Sequence, residues 1–320
     1  MSDLTPSSPL GTSPRYSASA SEMNVSLTLK LVFAAVLWGG TFIAGRVVAT
    51  AMPHTTAAFV RFFIAAILLL VYVRKKEGAL PRLSRSELAI TAALGFTGIY
   101  LYNMFFLAAL TTMAAGRTAL FVSLCPIVTA LLACVFFRER LGLLRWTGIA
   151  IALIGTMVVI TRGGLFNLTH DGATSFGVGE LMMCLAVVAW AAYTLISRKA
   201  VRTLTPMTAT MCASLWGLVF LLPGTLAEVL AIRWTAISMS AWAAIIYLGT
   251  FGTVVPLVWY YEGVKVIGPS RTAVFTNLNA VFGVLLAALI LREPILASML
   301  VGGAITGIGV ALANKVRKRL

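Results

Sequence analysis

Acidic residues are scarce in this chain: ten Asp and Glu stand against twenty-five Lys and Arg, and only two of the ten, Asp3 and Asp171, are aspartate. No Asp-rich cluster is present to hold a divalent cation, and no HExxH, GxSxG or phosphate-loop pattern occurs, so intramembrane hydrolysis and nucleotide-driven pumping lack their residues. The expectation is a protein that is not an enzyme and that uses no cofactor and no metal. Histidine is limited to His54 and His170, both expected in loops. The four cysteines, Cys125, Cys134, Cys184 and Cys212, lie in apolar stretches without a CxxC pair and read as small packing residues. Residues 1–26 are rich in Ser, Thr and Pro without apolar periodicity, which predicts a disordered cytoplasmic tail.

What the chain does have is apolar length. Hydrophobic residues make up 60% and charged residues 11% of the sequence, so almost any helix would be apolar on every face, which suits a bilayer and not water. Crossing the hydrocarbon takes roughly 20 apolar residues in helix. Ten such segments are legible: 27–50, 55–73, 87–109, 117–137, 143–161, 178–200, 206–227, 240–262, 271–291 and 296–315. A β-barrel would show alternating segments of about ten residues instead. The fold class expected is all-α and polytopic, with ten transmembrane helices. The net charge of +15 is placed by topology. Clusters such as Arg74-Lys75-Lys76, Arg138/Arg140/Arg145, Arg198/Lys199/Arg202 and the 316–320 tail alternate with loops nearly free of charge, as the positive-inside rule requires when both termini are cytoplasmic. A nucleic-acid partner would need a soluble basic face with interleaved aromatics, and none is present.

The chain also repeats itself. Gly116 to Arg140 and Ser270 to Pro294 align without a gap at an offset of 154, with ten identities in twenty-five positions. Arg-Thr-Ala at 117–119 and 271–273 opens the shared frame, and Arg138-Glu139 and Arg292-Glu293 close it. Leu94-Gly95/Leu248-Gly249, Gly148/Gly302 and Gly155/Gly309 extend it in both directions. Two five-helix units follow, 27–161 and 178–315, joined by an external linker at 162–177. Five is odd, so the second unit lies inverted relative to the first, an arrangement many transporters use.

Polar and aromatic residues at mid-span are the candidates for contact with a substrate. Trp38 in helix 1 and Trp190 in helix 6 are repeat equivalents, each followed one turn on by a hydrogen-bonding neighbour, Thr41 and Tyr193. Packing alone is the alternative for both pairs. Tyr100 and Asn103 share a face of helix 3, and Asn103 facing lipid would be costly. In helix 9, Asn277 matches Ser123 in the repeat and is favoured over Asn279, about 200° away around the helix. Arg46 and Arg61 either neutralise a substrate carboxylate, or cap carbonyls and reach toward the interface. Arg117 and Arg271, at the starts of helices 4 and 9, are gates or anchors. Pro126, Pro256 and Gly39-Gly40 predict kinked or loosened helices. The Gly148/Gly155 and Gly302/Gly309 pairs predict a close backbone contact, within one chain or across a homodimer; monomer and homodimer stay open. No carboxylate sits at a span centre, which points to facilitated transport rather than proton exchange.

Trp38-Gly39-Gly40-Thr41-Phe42, Arg61-Phe62, and Ala-Gly-Arg-Thr-Ala-Leu through Pro126 to Arg138-Glu139-Arg140 resemble the signature of EamA-type proteins of the drug/metabolite transporter superfamily. Gly179-Glu180-Leu181, Trp190-Ala191-Ala192-Tyr193-Thr194 and Gly268-Pro269-Ser270-Arg271 repeat it in the second half. The resemblance implies a cavity lined mainly by helices 1, 3, 4, 6, 8 and 9. It also implies export of small metabolites from a bacterial inner membrane, most similar to exporters of aromatic and other neutral amino acids. Broad efflux of lipophilic compounds, possibly with proton coupling, is the alternative within that class; a membrane scaffold or an intramembrane enzyme would be a different class.

Overall fold

Uninterrupted apolar runs must satisfy their backbone groups internally when water is absent, and among the described residues the chain forms helices and no strands. The structure, a computed structural model, describes residues 25–78, 80, 82–137, 142–161, 177–268, 272 and 275–313. Residues 1–24, the 162–176 stretch of the expected linker, Arg138-Glu139-Arg140, Arg271, His170 and the C-terminal tail lie outside them. Among the described residues, seven helices are long and apolar enough to cross a membrane: α1 Val25–Ala51, α2 His54–Glu77, α3 Arg85–Thr112, α4 Ala115–Phe136, α6 Val178–Ala200, α7 Pro206–Val229 and α8 Met239–Ile267. Three shorter apolar helices, α5 Leu143–Ile160, α9 Leu278–Leu291 and α10 Ala297–Ala313, fall in between and after them. In order, these helices fall on the ten segments expected, and seven of them are long enough by themselves to cross a membrane. His54 opens α2 and is not in a loop.

Reciprocal contacts relate the two halves. At the start of α2, Thr56 donates its backbone N–H (3.0 Å) and its hydroxyl (2.8 Å) to Glu228 near the end of α7. At the start of α7, the hydroxyls of Thr205 (2.6 Å) and Thr208 (2.8 Å) donate to Glu77 at the end of α2. Each helix therefore has its N-terminal donors met by a carboxylate from the C-terminal end of the other, which fits the positive end of the helix dipole. The two helices are antiparallel. Helices α5 and α10 meet in the same sense: a Cβ on Gly302 would fall 2.6 Å from Gly155 O, and Gly148 is set against Gly309. The close glycine contact thus lies within one chain. Helix α1 packs on α8 and α9, and α6 packs on α3 and α4. Exchanging the halves maps every one of these contacts onto its counterpart with chain direction reversed, which is the inverted five-plus-five arrangement.

Irregularities recur with the same symmetry. Helix α3 contains a π-helical stretch at Gly95–Leu101, where the Tyr102 N–H reaches back to Thr97 O. Helix α8 contains one at Thr250–Val254, where the Val255 N–H reaches Thr250 O. Pro256, which lacks an N–H, follows directly, so the kink expected there takes the form of a π-turn. Helix α4 is interrupted at Ser123-Leu124, where N–H groups bond three residues back to Leu120 O and Phe121 O, and Pro126 restarts it. In the second half, the interruption falls at Asn277, the equivalent of Ser123. Helix α1, by contrast, runs unbroken through Gly39-Gly40. Those glycines serve close approach: a Cβ on Gly39 would meet Phe282 and Gly283 of α9, and Gly40 leaves room for Tyr247, whose hydroxyl donates to Leu37 O at 2.8 Å.

Candidate functional site

Four helices bring aromatic side chains together in the bundle, in two runs of ring contacts. Trp38 of α1 meets Tyr260 of α8 edge-on, with centroids 5.8 Å apart. One turn on, Phe42 meets Phe106 of α3 at 5.8 Å, and Phe106 stacks on Tyr102 at 5.5 Å. Tyr102 contacts Trp190 of α6 at 5.0 Å, and Trp190 stacks on Tyr193 at 5.1 Å. In the second run, Tyr261 packs edge-on against Tyr260 at 5.7 Å, and Tyr260 is the partner of Trp38. The inverted repeat explains the pairing: Trp38 meets α8 and Trp190 meets α3. Phe106 and Tyr260 are themselves equivalents at the 154 offset. Trp38 is half-buried and Trp190 keeps 38% of its surface exposed.

The expected site residues separate into those that join this set and those engaged elsewhere. Trp38, Trp190 and Tyr193 join it, whereas the Thr41 hydroxyl folds back onto Trp38 O at 2.6 Å. Tyr100 stacks on Phe96 at 5.7 Å. Two residues apart on a helix, Tyr100 and Tyr102 point about 200° apart, and it is Tyr102 that contacts Trp190 of α6. Asn103, 1% exposed, turns into a buried polar cluster. Its amide donates to Ile99 O at 2.7 Å, and its Oδ1 accepts from Arg61 Nη1 at 3.0 Å. Asn277 is exposed at the interruption of α9, while Asn279 has a buried Oδ1 without a hydrogen bond.

The arginines also differ. Arg46 Nη1 donates to Leu110 O (2.7 Å) and Met113 O (2.6 Å), capping the C-terminus of α3. Arg117 forms a buried ion pair with Glu180 of α6 at 2.8 Å, with side-chain exposures of 9% and 8%. Beside it, Glu293 accepts from the Ala115 and Gly116 N–H groups at 2.9 and 3.0 Å, so the start of α4 is held by both α6 and the segment after α9. At the opposite end of the bundle, Lys30 of α1 pairs with Glu262 of α8 at 2.8 Å in a more open setting, 37% and 42% exposed. Arg61 is left with neutral partners only. Sequence reasoning missed Phe42, Tyr102, Phe106, Tyr260, Tyr261 and Thr253. Only the Phe106/Tyr260 match at the repeat offset signals any of them in advance. A separate cavity of about 310 Å³ lies at the end of α1 and α7, lined by Ala51, Pro53, Glu228 and Arg233 among others.

Comparison with known proteins adds a family. The description "EamA-like transporter family" matches the chain twice, at residues 26–161 and 177–315. An uncharacterized transporter of Bacillus subtilis, YyaM, is 28% identical over 294 residues, 92% of this chain and 95% of that protein. A probable terminal-alkyne amino-acid exporter of Streptantibioticus cattleyicolor is 27% identical over 287 residues, 89% of this chain and 92% of that one. An uncharacterized inner membrane transporter of Escherichia coli, YedA, is 25% identical over 253 residues, 78% of each chain. A solved crystal structure superposes with a TM-score of 0.60 at 21% identity, covering 92% of this chain and 99% of the other, and bears on the fold alone.

Proposed function

Because the chain belongs to the EamA-like transporter family, a family of membrane transporters, we propose that it exports neutral or aromatic amino acids, or similar small metabolites, across a bacterial inner membrane. The carrying observation is the aromatic series of Trp38, Phe42, Phe106, Tyr102, Trp190, Tyr193, Tyr261 and Tyr260, drawn from α1, α3, α6 and α8 of both halves. Large rings with a polar edge suit a substrate that is apolar at one end and polar at the other. A site shared by two inverted halves is also the place where rocking of one half against the other exposes it to alternate sides. The amino-acid exporter among the relatives supports the substrate class.

With both termini in the cytoplasm, the Arg117–Glu180 pair lies at the outer end and the Lys30–Glu262 pair at the inner end. These two pairs are the contacts that must part alternately during transport. Glu77, Glu180, Glu228, Glu262 and Glu293 all stand at helix ends and are already engaged there, which supports facilitated movement down the substrate's own gradient. Uptake of labelled amino acids into proteoliposomes holding only this protein, with and without a pH gradient, tests the reading. Saturable flux of aromatic or neutral amino acids that ignores the gradient and is lost in Trp190→Ala is expected. Flux of lipophilic amines but not of amino acids would refute it.

A further inference from the structure

Arg61 is a buried cation without a counter-ion. It is 8% exposed, and among the described residues it forms no ion pair. Nη1 donates to Asn103 Oδ1 at 3.0 Å and Nη2 to Thr253 Oγ1 at 3.4 Å, while Nε is buried with no hydrogen-bond partner. Both neutral partners are oriented by the π-turns. Asn103 donates to Ile99 O at 2.7 Å, and Thr253 donates to Leu248 O at 2.9 Å, so each turns its remaining oxygen lone pairs toward the guanidinium. Arg61 thus ties the π-turn of α3 to that of α8. Removing a charge from water without a compensating opposite charge is strongly unfavourable, so such a group is retained for a reason.

Packing is not that reason. A Cβ on Gly249, in α8, would lie 2.8 Å from Arg61 O; a Cβ on Gly95, its repeat equivalent in α3, would lie 2.7 Å from Ala213 O of α7. Arg61 and Ala213 therefore occupy corresponding places in the two halves, and the same helix crossing is built in one of them with a methyl group. The charge is an addition to the fold. It also lies near the aromatic residues, because Asn103, which accepts from Arg61, directly follows Tyr102 in α3, and Tyr102 touches Trp190.

We propose that Arg61, oriented by Asn103 and Thr253, binds the carboxylate of the substrate while Tyr102 and Trp190 receive its apolar side chain, so that the site selects aromatic or apolar carboxylates and zwitterions and rejects lipophilic cations. The inference rests on the proposed site and narrows its substrate class. Because the guanidinium spans both π-turns, a carboxylate arriving there also draws on one hinge in each half.

The test compares two matched pairs on the purified full-length protein: phenylalanine with phenylalaninamide, and 3-phenylpropionate with 3-phenylpropionamide. Binding is read by tryptophan fluorescence and transport by counterflow in proteoliposomes. Wild type is expected to favour the carboxylate member of each pair by about tenfold or more, the range of a charge-assisted hydrogen bond. Arg61→Gln should level the pairs, and Arg61→Lys should keep part of the preference. Equal binding of carboxylate and amide by wild type overturns the proposal even where Arg61→Gln fails to fold, as does a folded Arg61→Gln that retains the preference. A carboxylate preference with phenylpropionate but no response to any amino acid would leave the anion site standing and sink the amino-acid reading.

Discussion

Two glycines five residues apart on α10 should respond in opposite ways to the same substitution. A Cβ on Gly302 would lie 2.6 Å from Gly155 O and 2.7 Å from Val159 Cγ2, whereas a Cβ on Gly307 meets nothing within 4 Å. Ordinary contact begins near 3.4 Å, so Gly302→Ala must move α5 and α10 apart by about 0.8 Å. The closest obstacle is backbone and cannot rotate away. Helices in a membrane are held by close packing, since lipid offers no hydrophobic drive between them, and overpacking typically costs about 1–3 kcal/mol. Replacing glycine by alanine inside a helix returns about 0.5–1 kcal/mol. The net loss for Gly302→Ala is then about 0–2.5 kcal/mol, centred near 1 kcal/mol, while Gly307→Ala gains the helix term alone. Thermal unfolding of the purified protein in detergent measures both: the first variant should melt below wild type and the second at or above it. Gly155→Ala combined with Gly302→Ala should cost less than the two separately, because both open the same gap. Equal shifts in the same direction for Gly302→Ala and Gly307→Ala would refute the packing argument.

The two ion pairs should differ in the same assay. Glu180→Gln removes the carboxylate of a buried ion pair and is expected to cost about 3–5 kcal/mol, whereas Glu262→Gln, in the open pair with Lys30, should cost less than about 1 kcal/mol. Thr56→Val and Thr208→Val each remove a hydroxyl that donates to a glutamate from the other half, and each should cost about 1–3 kcal/mol; a loss confined to one of them would contradict the two-fold relation. Arg46→Met should lower the melting temperature through the lost bonds to Leu110 O and Met113 O but leave the transport KM of a folded protein unchanged, and a raised KM would return Arg46 to the substrate.

Segment order and inversion were legible because they depend on apolar length, on charge placement and on a gapless repeat, all of which survive without knowledge of side-chain contacts. The glycine pairs on α5 and α10 were legible as a contact, and the structure adds that it lies within one chain. The site was harder. Face arguments for α3 assumed 3.6 residues per turn, whereas the helix carries a π-turn at Gly95–Leu101, and it is Tyr102 that meets Trp190 while Tyr100 stacks on Phe96. No local residue pattern announces such a turn, although its recurrence after Gly249 shows that the repeat carries it. The arginines were indistinguishable by type. What separates them is whether a carbonyl, a carboxylate or neither lies within reach, and that is decided by helices distant in the chain.

The exchange of carboxylates between α2 and α7 has a consequence for assembly during synthesis. Until α7 is in place, Thr56 at the start of α2 lacks Glu228, and Glu77 likewise waits for Thr205 and Thr208. The two ends of α2 therefore keep these groups unmatched until α7 has been made and packed against it. The same geometry lets two identical five-helix chains, inserted in opposite directions, cap each other as these halves do.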